Sequence, residues 1–328
     1  MRRLFCMMVL MIMMMVSPVY AMDKVSLATD YIHPYSLYVP FIYGIEKGIY
    51  KAEGIDLKVI LTQGGHTSTL SLASKSVDFG ICGGQSVAQS VSKGLPVMCI
   101  SNLAENNWNT VFYKGDSGIK TFKDLDGKSV VLSPKTAKGF VVKTIAKKQG
   151  VNINFVSGQP SRSVEYTSFL TGKTDFYVGS IAENAHRVVK DGDIRWFTLK
   201  EYIDNGPAYC LATNIETIEK RPDVIVRFIR ATIKSIEESR NNKEEAVKIF
   251  VKTYPEMKYD DVIQSWPITA TYLTSLDKKT KFGMMYEERW LSLIRSMEEF
   301  EEIQKGSVST SKVYTNQFVI EAWKKLKK

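Results

Sequence analysis

The sequence predicts an α/β protein made of two lobes, each built around a doubly wound sheet. The first observation is a βαβαβ alternation with short connections between Lys24 and Ser101, which is typical of a mainly parallel sheet covered by helices. The second is a fresh βαβ series that starts at Ser129. The third is an echo between the two series. Residues 171–176 repeat the order of helix end, small-residue turn, aspartate and strand found in residues 74–79.

The first series contains four predicted strands and the helices that connect them. Around its third strand, Val77, Phe79 and Ile81 alternate as strand residues do. Glycine pairs at Gly64-Gly65 and Gly83-Gly84 follow two of the strands and let the backbone turn tightly into a helix. The predicted strands are residues 24–29, 55–61, 77–81 and 94–101, and the predicted helices are residues 37–47, one from about residue 68, and one from residue 85 to residue 93.

The second series shows the same alternation of predicted strands and helices, and the rest of the chain is predicted to be helical. Its predicted strands are residues 111–113, 129–132, 151–156 and 175–179, and its predicted helices are residues 140–149 and 164–170. Beyond Asn214, Pro222 suits the first turn of a helix in which apolar residues keep helical spacing. Residues 244–254 and 287–302 are further amphipathic helices, which we expect to pack on the core.

The first 21 residues are typical of an export leader. Arg2-Arg3 is followed by a methionine-rich apolar run over residues 4–16 and by a small residue, Ala21, where signal peptidase would cut. The alternative is an N-terminal membrane anchor. Removing the leader takes two arginines from the formal charge of +9 and leaves +7. The basic residues are spread along the chain without a nucleic-acid motif, so we expect a solvated surface and no nucleic-acid partner.

The cysteines that remain after the leader are Cys82, Cys99 and Cys210. They are odd in number, widely spaced and set among strand-like residues, which favours buried thiols. One disulfide in an oxidising compartment is the alternative. The spacing of cysteine and histidine residues indicates neither a metal site nor a cofactor.

Several segments resemble the NMT1/THI5-like family of periplasmic solute-binding proteins of ABC transporters, which includes pyrimidine-precursor, nitrate and sulfonate binders. The residues 46–57, with the sequence EKGIYKAEGIDL, are similar to a characteristic segment of that family. The other matching segments are residues 77–81, 94–97, 116–120 with 124–128, and 222–228. They occur in the expected order over nearly all of the chain after the leader.

The resemblance implies a periplasmic binding protein of type II, in which two lobes close on a small molecule and the closed form is recognised by a membrane permease. The chain would cross between lobes near residues 110–113 and 205–210. Lobe 1 would then comprise residues 22–111 and 206–328, and lobe 2 residues 112–205. A monomer is expected, because both lobes must face one partner. Closure is driven by the better contacts that the ligand makes in the closed state.

The candidate ligand contacts lie in loops at the carboxyl ends of predicted strands, where open α/β sheets hold ligands. In lobe 1 they are Tyr31, His33, Tyr35, Gly65, His66, Thr67, Gly83, Gly84, Gln85, Asn107, Trp108 and Asn109. In lobe 2 and at the return crossing they are Thr136, Lys138, Gly139, Ser180, Glu183 and Tyr209.

Each of the more specific candidates has a plainer alternative. Tyr31 and Tyr35 would face the ligand cleft or would only cover the hydrophobic core. Trp108, in a run of asparagines, would be a stacking platform or a core residue. Glu183 would meet an amino group of a pyrimidine, as the resemblance implies, or would be a carboxylate in the first turn of a helix.

Tyrosine, tryptophan, histidine and asparagine dominate the expected cleft, which favours a flat heteroaromatic ligand such as a pyrimidine-type thiamine precursor. The glycine turns could instead hold nitrate, a sulfonate or another organic anion at helix N-termini. A third possibility is a ligand-binding partner of a periplasmic sensor. Catalysis is not expected, because the synthases of the resembling family use a cysteine-rich iron motif that this chain lacks.

Overall fold

The structure is a computed structural model that describes residues 22–104, 109–134, 136–156, 162–181, 184, 193–202, 206–273 and 281–326. The expected leader, residues 1–21, lies outside the described residues. In the part of the chain that is described, no helix has the length and apolar character needed to cross a membrane.

Ten strands are found among the described residues. In chain order they are β1 (Asp23–Ala28), β2 (Ile55–Ile60), β3 (Phe79–Cys82), β4 (Val97–Ala104), β5 (Asn109–Lys114), β6 (Ser129–Val131), β7 (Asn154–Val156), β8 (Phe176–Ser180), β9 (Ile194–Thr198) and β10 (Tyr209–Asn214). The predicted strands are all present within a few residues of their expected bounds. The largest differences are β4, which begins and ends three residues later than expected, and β7, which is three residues long where six were expected.

The α-helices, numbered along the chain, fill the connections and the C-terminal third. They are α1 (Val39–Glu46), α2 (Ile49–Ala52), α3 (Gly65–Ala73), α4 (Gly84–Ser92), α5 (Ala137–Gln149), α6 (Arg162–Leu170), α7 (Ile215–Lys220), α8 (Pro222–Asn241), α9 (Lys243–Thr253), α10 (Tyr259–Tyr272), α11 (Glu287–Glu299), α12 (Thr310–Val313) and α13 (Gln317–Leu326). Pro222 begins α8 as expected. The helix predicted over residues 37–47 is divided, because a 3₁₀ turn, Ser36–Tyr38, precedes α1.

The first sheet has the strand order β2-β1-β3-β10-β4. Strands β1, β2 and β3 pair in parallel, whereas β10 pairs antiparallel with both β3 and β4. Four of its strands therefore run in one direction, as the βαβ alternation predicts, and the strand that returns from the second half of the chain is inserted between them. The sheet is mixed for this reason.

The second half of the chain repeats this arrangement. Strand β5 pairs antiparallel with β8 and β9, and β6 pairs in parallel with β7. The N–H of Asp175, directly before β8, donates to the carbonyl of Ser129 in β6 at 3.0 Å. This contact places β6 beside β8, so the spatial order is β7-β6-β8-β5-β9. It corresponds strand by strand to the order of the first sheet.

The echo seen in the sequence has the same structural role in both sheets. Asp78 accepts hydrogen bonds from the backbone N–H and the hydroxyl of Ser26, both at 2.8 Å. Asp175 accepts the equivalent pair from Ser129, at 2.7 and 2.6 Å. In each case an aspartate directly before one strand is hydrogen-bonded to a serine of the neighbouring strand. The repeat makes β1 and β6 equivalent positions in the two sheets.

The C-terminal helices pack mainly on the first sheet and also contact the second half of the chain. Phe140 of α5 lies in the same buried cluster as Trp290 and Leu293 of α11. On another side, Ile268 and Tyr272 of α10 pack against the cluster that contains Phe112. Helices α10 and α11 thus connect the two sheets at two separate places.

The three cysteines lie on neighbouring strands in the interior of the first sheet. Cys82 and Cys210 face each other across β3 and β10, and Cys99 is on β4. All three are buried thiols. Burial raises the pKa of Cys82 and of Cys99 above the usual value for a thiol, so these groups are unreactive core residues at neutral pH.

Glu53 is a buried carboxylate at the end of α2 that pairs with Arg230 and Lys234 of α8. Burial alone would raise the pKa of Glu53, but hydrogen bonding and charge from Arg230, and then from Lys234, outweigh burial and lower it below its usual value of 4.5. The folded state therefore gains stability from ionised Glu53 above about pH 4.5, and loses it as the pH falls through the lower folded-state pKa.

We expect Glu53→Gln to lower the free energy of unfolding at pH 7 by about 1–3 kcal/mol, because Arg230 and Lys234 of α8 lose a buried, charged acceptor. The loss should shrink when the same variant is compared with the unmodified protein at pH 3. Urea unfolding at both pH values measures this difference. A deficit of equal size at pH 3 and pH 7 would contradict the ion-pair explanation.

Candidate functional site

The candidate site lies at the edge where the parallel strands β1, β2 and β3 end. Because these strands run in one direction, the loops that follow them meet at the same edge of the sheet. Thr29, directly after β1, ties two of the loops together. Its hydroxyl donates to the carbonyl of Tyr31 at 2.9 Å and accepts from the N–H of Thr62, after β2, at 3.1 Å.

Asp30 is the first carboxylate after β1, and it is buried at this edge. It accepts hydrogen bonds from the hydroxyl of Tyr35, at 3.0 and 2.9 Å to its two oxygens, and from the hydroxyl of Tyr38 at 2.8 Å. Burial, followed by the charge of Asp30, raises the pKa of Tyr38 well above its usual value. The phenol therefore remains protonated and donates to the carboxylate.

The aromatic residues of this loop have different surroundings. The ring of Tyr35 is buried against that of Tyr38, with centroids 4.7 Å apart. The hydroxyl of Tyr35 donates to Asp30. Tyr31 is half-buried and packs edge-on against His33, with centroids 5.4 Å apart, while His33 is exposed. Of the two predicted tyrosine contacts in this loop, Tyr31 therefore has the more accessible ring face. Asp30 itself was not among the predicted contacts.

The two glycine turns adjoin each other at the same edge. A Cβ added to Gly65 would lie 3.4 Å from the backbone nitrogen of Gly83 and 3.2 Å from the hydroxyl oxygen of Ser86. Gly64, with φ of 125°, has a backbone conformation that residues other than glycine rarely adopt. His66 and Thr67, in the first turn of α3, are exposed. The N-termini of α3 and α4 are thus side by side.

The glycine pair before α4 allows the returning chain to approach closely. The N–H of Gly84 donates to the carbonyl of Pro207 at 3.2 Å, and a Cβ added to Gly84 would lie 2.9 Å from that oxygen. Gly83 similarly faces the carbonyl of Ala208. Gln85, the next residue, is half-buried. The backbone N–H of Gly84, at the start of α4, is therefore hydrogen-bonded within the protein.

On the side of the second sheet, Thr136 caps α5. Its hydroxyl accepts from the N–H of Gly139 at 3.2 Å and donates to the carbonyl of Ser133 at 2.8 Å. Gly139 is buried against Ser133 and Pro134 so closely that a Cβ would overlap their backbone. Gly139 thus holds the first turn of α5 against the loop after β6.

Lys138, in the same turn, is engaged within the second half of the chain. Its ammonium lies 2.5 Å from a carboxylate oxygen of Glu165 and donates to the carbonyl of Val178 at 3.2 Å. It also lies over the ring of Tyr177, 5.8 Å from the centroid. The side chain of Lys138 is 24% exposed and that of Glu165 is 5% exposed.

Three predicted contacts lie at the ends of strands where the chain passes between the sheets. Asn109, at the start of β5, is the direct partner of Ser180, at the end of β8. The hydroxyl of Ser180 is buried without a hydrogen-bond partner among the described residues. Tyr209 begins β10 opposite Ala104. The remaining predicted contacts, Asn107, Trp108 and Glu183, lie outside the described residues.

The arginines around the start of β1 form a network at the opposite edge of the first sheet. Arg221 pairs with Asp78 at 2.6 Å, and Arg227 pairs with Asp23 at 2.6 Å. Both guanidinium groups are thus paired with carboxylates that lie directly before β3 and at the start of β1, and not with the loops that follow these strands. Within the described residues, no group of three or more histidine, cysteine, aspartate and glutamate side chains could hold a metal ion.

The fold is that of the periplasmic binding proteins, as comparison with solved structures shows. A putative periplasmic sulfonate-binding protein, SsuA from Methylobacillus flagellatus, superimposes with a TM-score of 0.69 at 17% identity, covering 94% of this chain and 96% of that one. The periplasmic nitrate-binding protein NrtA from Synechocystis gives a TM-score of 0.69 at 13% identity, covering 93% and 89%.

The chain belongs to the NMT1/THI5-like family, whose sequence profile matches residues 36–246. This confirms the resemblance stated from the sequence. One similar protein is the formylaminopyrimidine-binding protein of Halalkalibacterium halodurans, 22% identical over 297 residues, which are 88% of this chain and 89% of the relative. Another is the riboflavin-binding protein RibY of Chloroflexus aurantiacus, 22% identical over 313 residues, covering 91% and 86%.

Proposed function

We propose that the protein is the solute-binding component of an ABC importer and that it captures a neutral, flat heteroaromatic molecule such as a pyrimidine-type thiamine precursor. The observation that carries this proposal is the buried carboxylate of Asp30 beside the half-buried ring of Tyr31 at the carboxyl edge of the first sheet. A carboxylate accepts hydrogen bonds from amino or ring N–H groups and repels anions. A tyrosine face suits a flat ring.

The relatives support the same ligand class. Formylaminopyrimidine and riboflavin, which two of them are named for, are both nitrogen heterocycles. The sulfonate- and nitrate-binding proteins share the fold at 17% and 13% identity. The second candidate, an anion, is favoured by the adjoining N-termini of α3 and α4, but Asp30 lies at that same edge.

We propose that the two sheets form two lobes and that the ligand draws them together. The first lobe would be built on β1–β4 and β10 with the C-terminal helices, and the second on β5–β9. The first boundary then lies before Asn109 instead of at residue 112, because β5 is a strand of the second sheet. A closed form stabilised by ligand contacts from both lobes is what a permease would recognise.

Export through the leader, with cleavage after Ala21, follows from this role, and N-terminal sequencing of the secreted protein tests it. A binding protein that serves a sensor instead of a permease would use the same site. We propose no catalytic activity. The yeast 4-amino-5-hydroxymethyl-2-methylpyrimidine phosphate synthase THI5 is 20% identical over 267 residues, 77% of this chain and 78% of that one. The binding proteins named above are similar over a larger part of this chain.

A thermal-shift screen of the purified protein tests the ligand class. We expect formylaminopyrimidine or a related aminopyrimidine to raise the melting temperature, since a ligand at a hundred times its Kd adds about 2.7 kcal/mol of stability. Tyr31→Ala should reduce the shift, because it removes the accessible ring face, whereas Ile320→Ala on the exposed face of α13 should leave it unchanged. A shift with nitrate or a sulfonate alone would contradict the proposal and favour the anion alternative.

A further inference from the structure

The Lys138–Glu165 pair joins two helices that cover opposite faces of the second sheet. Val142 and Ile145 of α5 pack in a cluster with Val111 of β5. Tyr166 and Phe169 of α6 pack in a different cluster with Phe112, the next residue of β5. Successive side chains of a strand point to opposite faces, so α5 and α6 lie on either side of the sheet.

Side chains from opposite faces of a sheet can meet only beyond the ends of its strands. Lys138 and Glu165 both lie in the first turns of their helices, which follow the carboxyl ends of β6 and β7. The pair at 2.5 Å therefore lies across the carboxyl edge of the second sheet. This is the edge at which open α/β sheets bind ligands.

Among the described residues, two of the three N–H groups of the Lys138 ammonium have a hydrogen-bond acceptor. A lysine ammonium has three N–H donors, and Glu165 and Val178 accept from Lys138. No third acceptor is present among the described residues. The charge of Lys138 is compensated by a carboxylate that is itself nineteen-twentieths buried. The group thus offers a hydrogen bond without a net positive charge.

We propose that Lys138 donates this hydrogen bond to a carbonyl or ring nitrogen of the ligand and that Glu165 is a specificity-determining residue that excludes anions. The inference rests on the proposed function and defines its ligand more closely. Asp30 follows β1 and Lys138 follows β6, and these two strands are equivalent in the two sheets. In this proposal the acceptor Asp30 belongs to one wall of the ligand site and the compensated donor Lys138 to the other. A neutral heterocycle with N–H donors on one edge and acceptors on another can hydrogen-bond to Asp30 and to Lys138 at the same time. An anion would be repelled by the carboxylate of Asp30 on one wall and by that of Glu165 on the other.

The test is titration calorimetry of the purified protein and of Glu165→Gln with four probes: formylaminopyrimidine, riboflavin, nitrate and methanesulfonate. Removing the carboxylate exposes the positive charge of Lys138. We therefore expect methanesulfonate or nitrate to give a measurable heat of binding with Glu165→Gln and none with the unmodified protein, a gain in affinity of about tenfold or more. Asp116→Asn is the matched control, since it removes the same charge from an exposed turn after β5, at the other edge of the sheet. It should leave anion affinity unchanged.

Unchanged anion affinity in folded Glu165→Gln would overturn the inference and leave the pair as a structural link between α5 and α6. If Glu165→Gln does not fold, as judged by circular dichroism, the double variant Lys138→Met/Glu165→Met replaces the pair with apolar side chains, a change that proteins often tolerate. We expect it to bind heterocycles about tenfold more weakly and anions no better. Undiminished heterocycle binding would overturn the inference.

These outcomes separate the inference from the proposed function. If the unmodified protein binds neither heterocycle, the proposed ligand class is wrong. The comparison of anion affinity between Glu165→Gln and the unmodified protein still decides whether Glu165 excludes anions. If the unmodified protein binds heterocycles and Glu165→Gln gains no anion affinity, only the inference is wrong.

Discussion

Asp30→Asn is expected to weaken binding of an aminopyrimidine by about tenfold to a hundredfold, which corresponds to the loss of one hydrogen bond to a charged acceptor. The carboxylate oxygens only accept, whereas the amide of asparagine presents two N–H donors to any amino group that approaches it. The tyrosine hydroxyls of Tyr35 and Tyr38, at 2.8–3.0 Å in the unmodified protein, can still donate to the remaining amide oxygen. We therefore expect the variant to fold.

Titration calorimetry with formylaminopyrimidine measures this loss. Tyr35→Phe is the matched control, because it removes one hydroxyl that donates to Asp30 and keeps the carboxylate. It should cost only a few-fold in affinity. Equal affinity of Asp30→Asn and the unmodified protein would show that the carboxylate is a core group with no contact to the ligand.

Phe228→Ala is expected to lower the free energy of unfolding by about 3–5 kcal/mol. Phe228 of α8 stacks on Phe79 of β3, with ring centroids 4.1 Å apart and planes 4° apart, and it also contacts Tyr50. All three rings are almost fully buried. The truncation leaves a large cavity beneath the strand that leads into the glycine pair, and dense packing on every side limits collapse around it.

Urea unfolding followed by circular dichroism measures the change in stability. Leu291→Ala, on the exposed side of α11, is the control and should change stability by about 0.5 kcal/mol or less. A loss below about 1 kcal/mol for Phe228→Ala would contradict the packing described here.

The order of strands and helices was predictable because it depends on local patterns. Alternating apolar residues, as in Val77, Phe79 and Ile81, and glycine pairs after strands are set by the residues themselves. The aspartate echo also depends on a local signal, since Asp78 and Asp175 each precede a strand. The structure shows that both anchor the neighbouring strand through a serine.

The residues that contact one another in the candidate site were not predictable, because most of them are distant in sequence and the local pattern does not indicate which residues they contact. Asp30 directly precedes a segment rich in aromatic residues, and only the fold brings the hydroxyls of Tyr35 and Tyr38 onto its carboxylate. Lys138 was predicted as a contact, but Glu165 belongs to a helix on the other face of the sheet. The carbonyl that approaches Gly84 belongs to Pro207, in the returning segment.

The insertion of β10 between β3 and β4 is another long-range feature. Residues 209–214 have the composition of a strand, but nothing in them specifies which strand they pair with or in which direction. The antiparallel pairing follows from the return of the chain from the second sheet. For the same reason the residues gave no indication that the backbone of Pro207 and Ala208 approaches Gly84 and Gly83.

Titration calorimetry of the unmodified protein with formylaminopyrimidine, nitrate and methanesulfonate tests the central proposal most directly. The site described here predicts saturable binding of one molecule of the heterocycle per chain, and no heat of binding with either anion. Saturable binding of nitrate or methanesulfonate, with none of the heterocycle, would contradict the assignment of Asp30 and Tyr31 to a site for neutral heteroaromatic ligands.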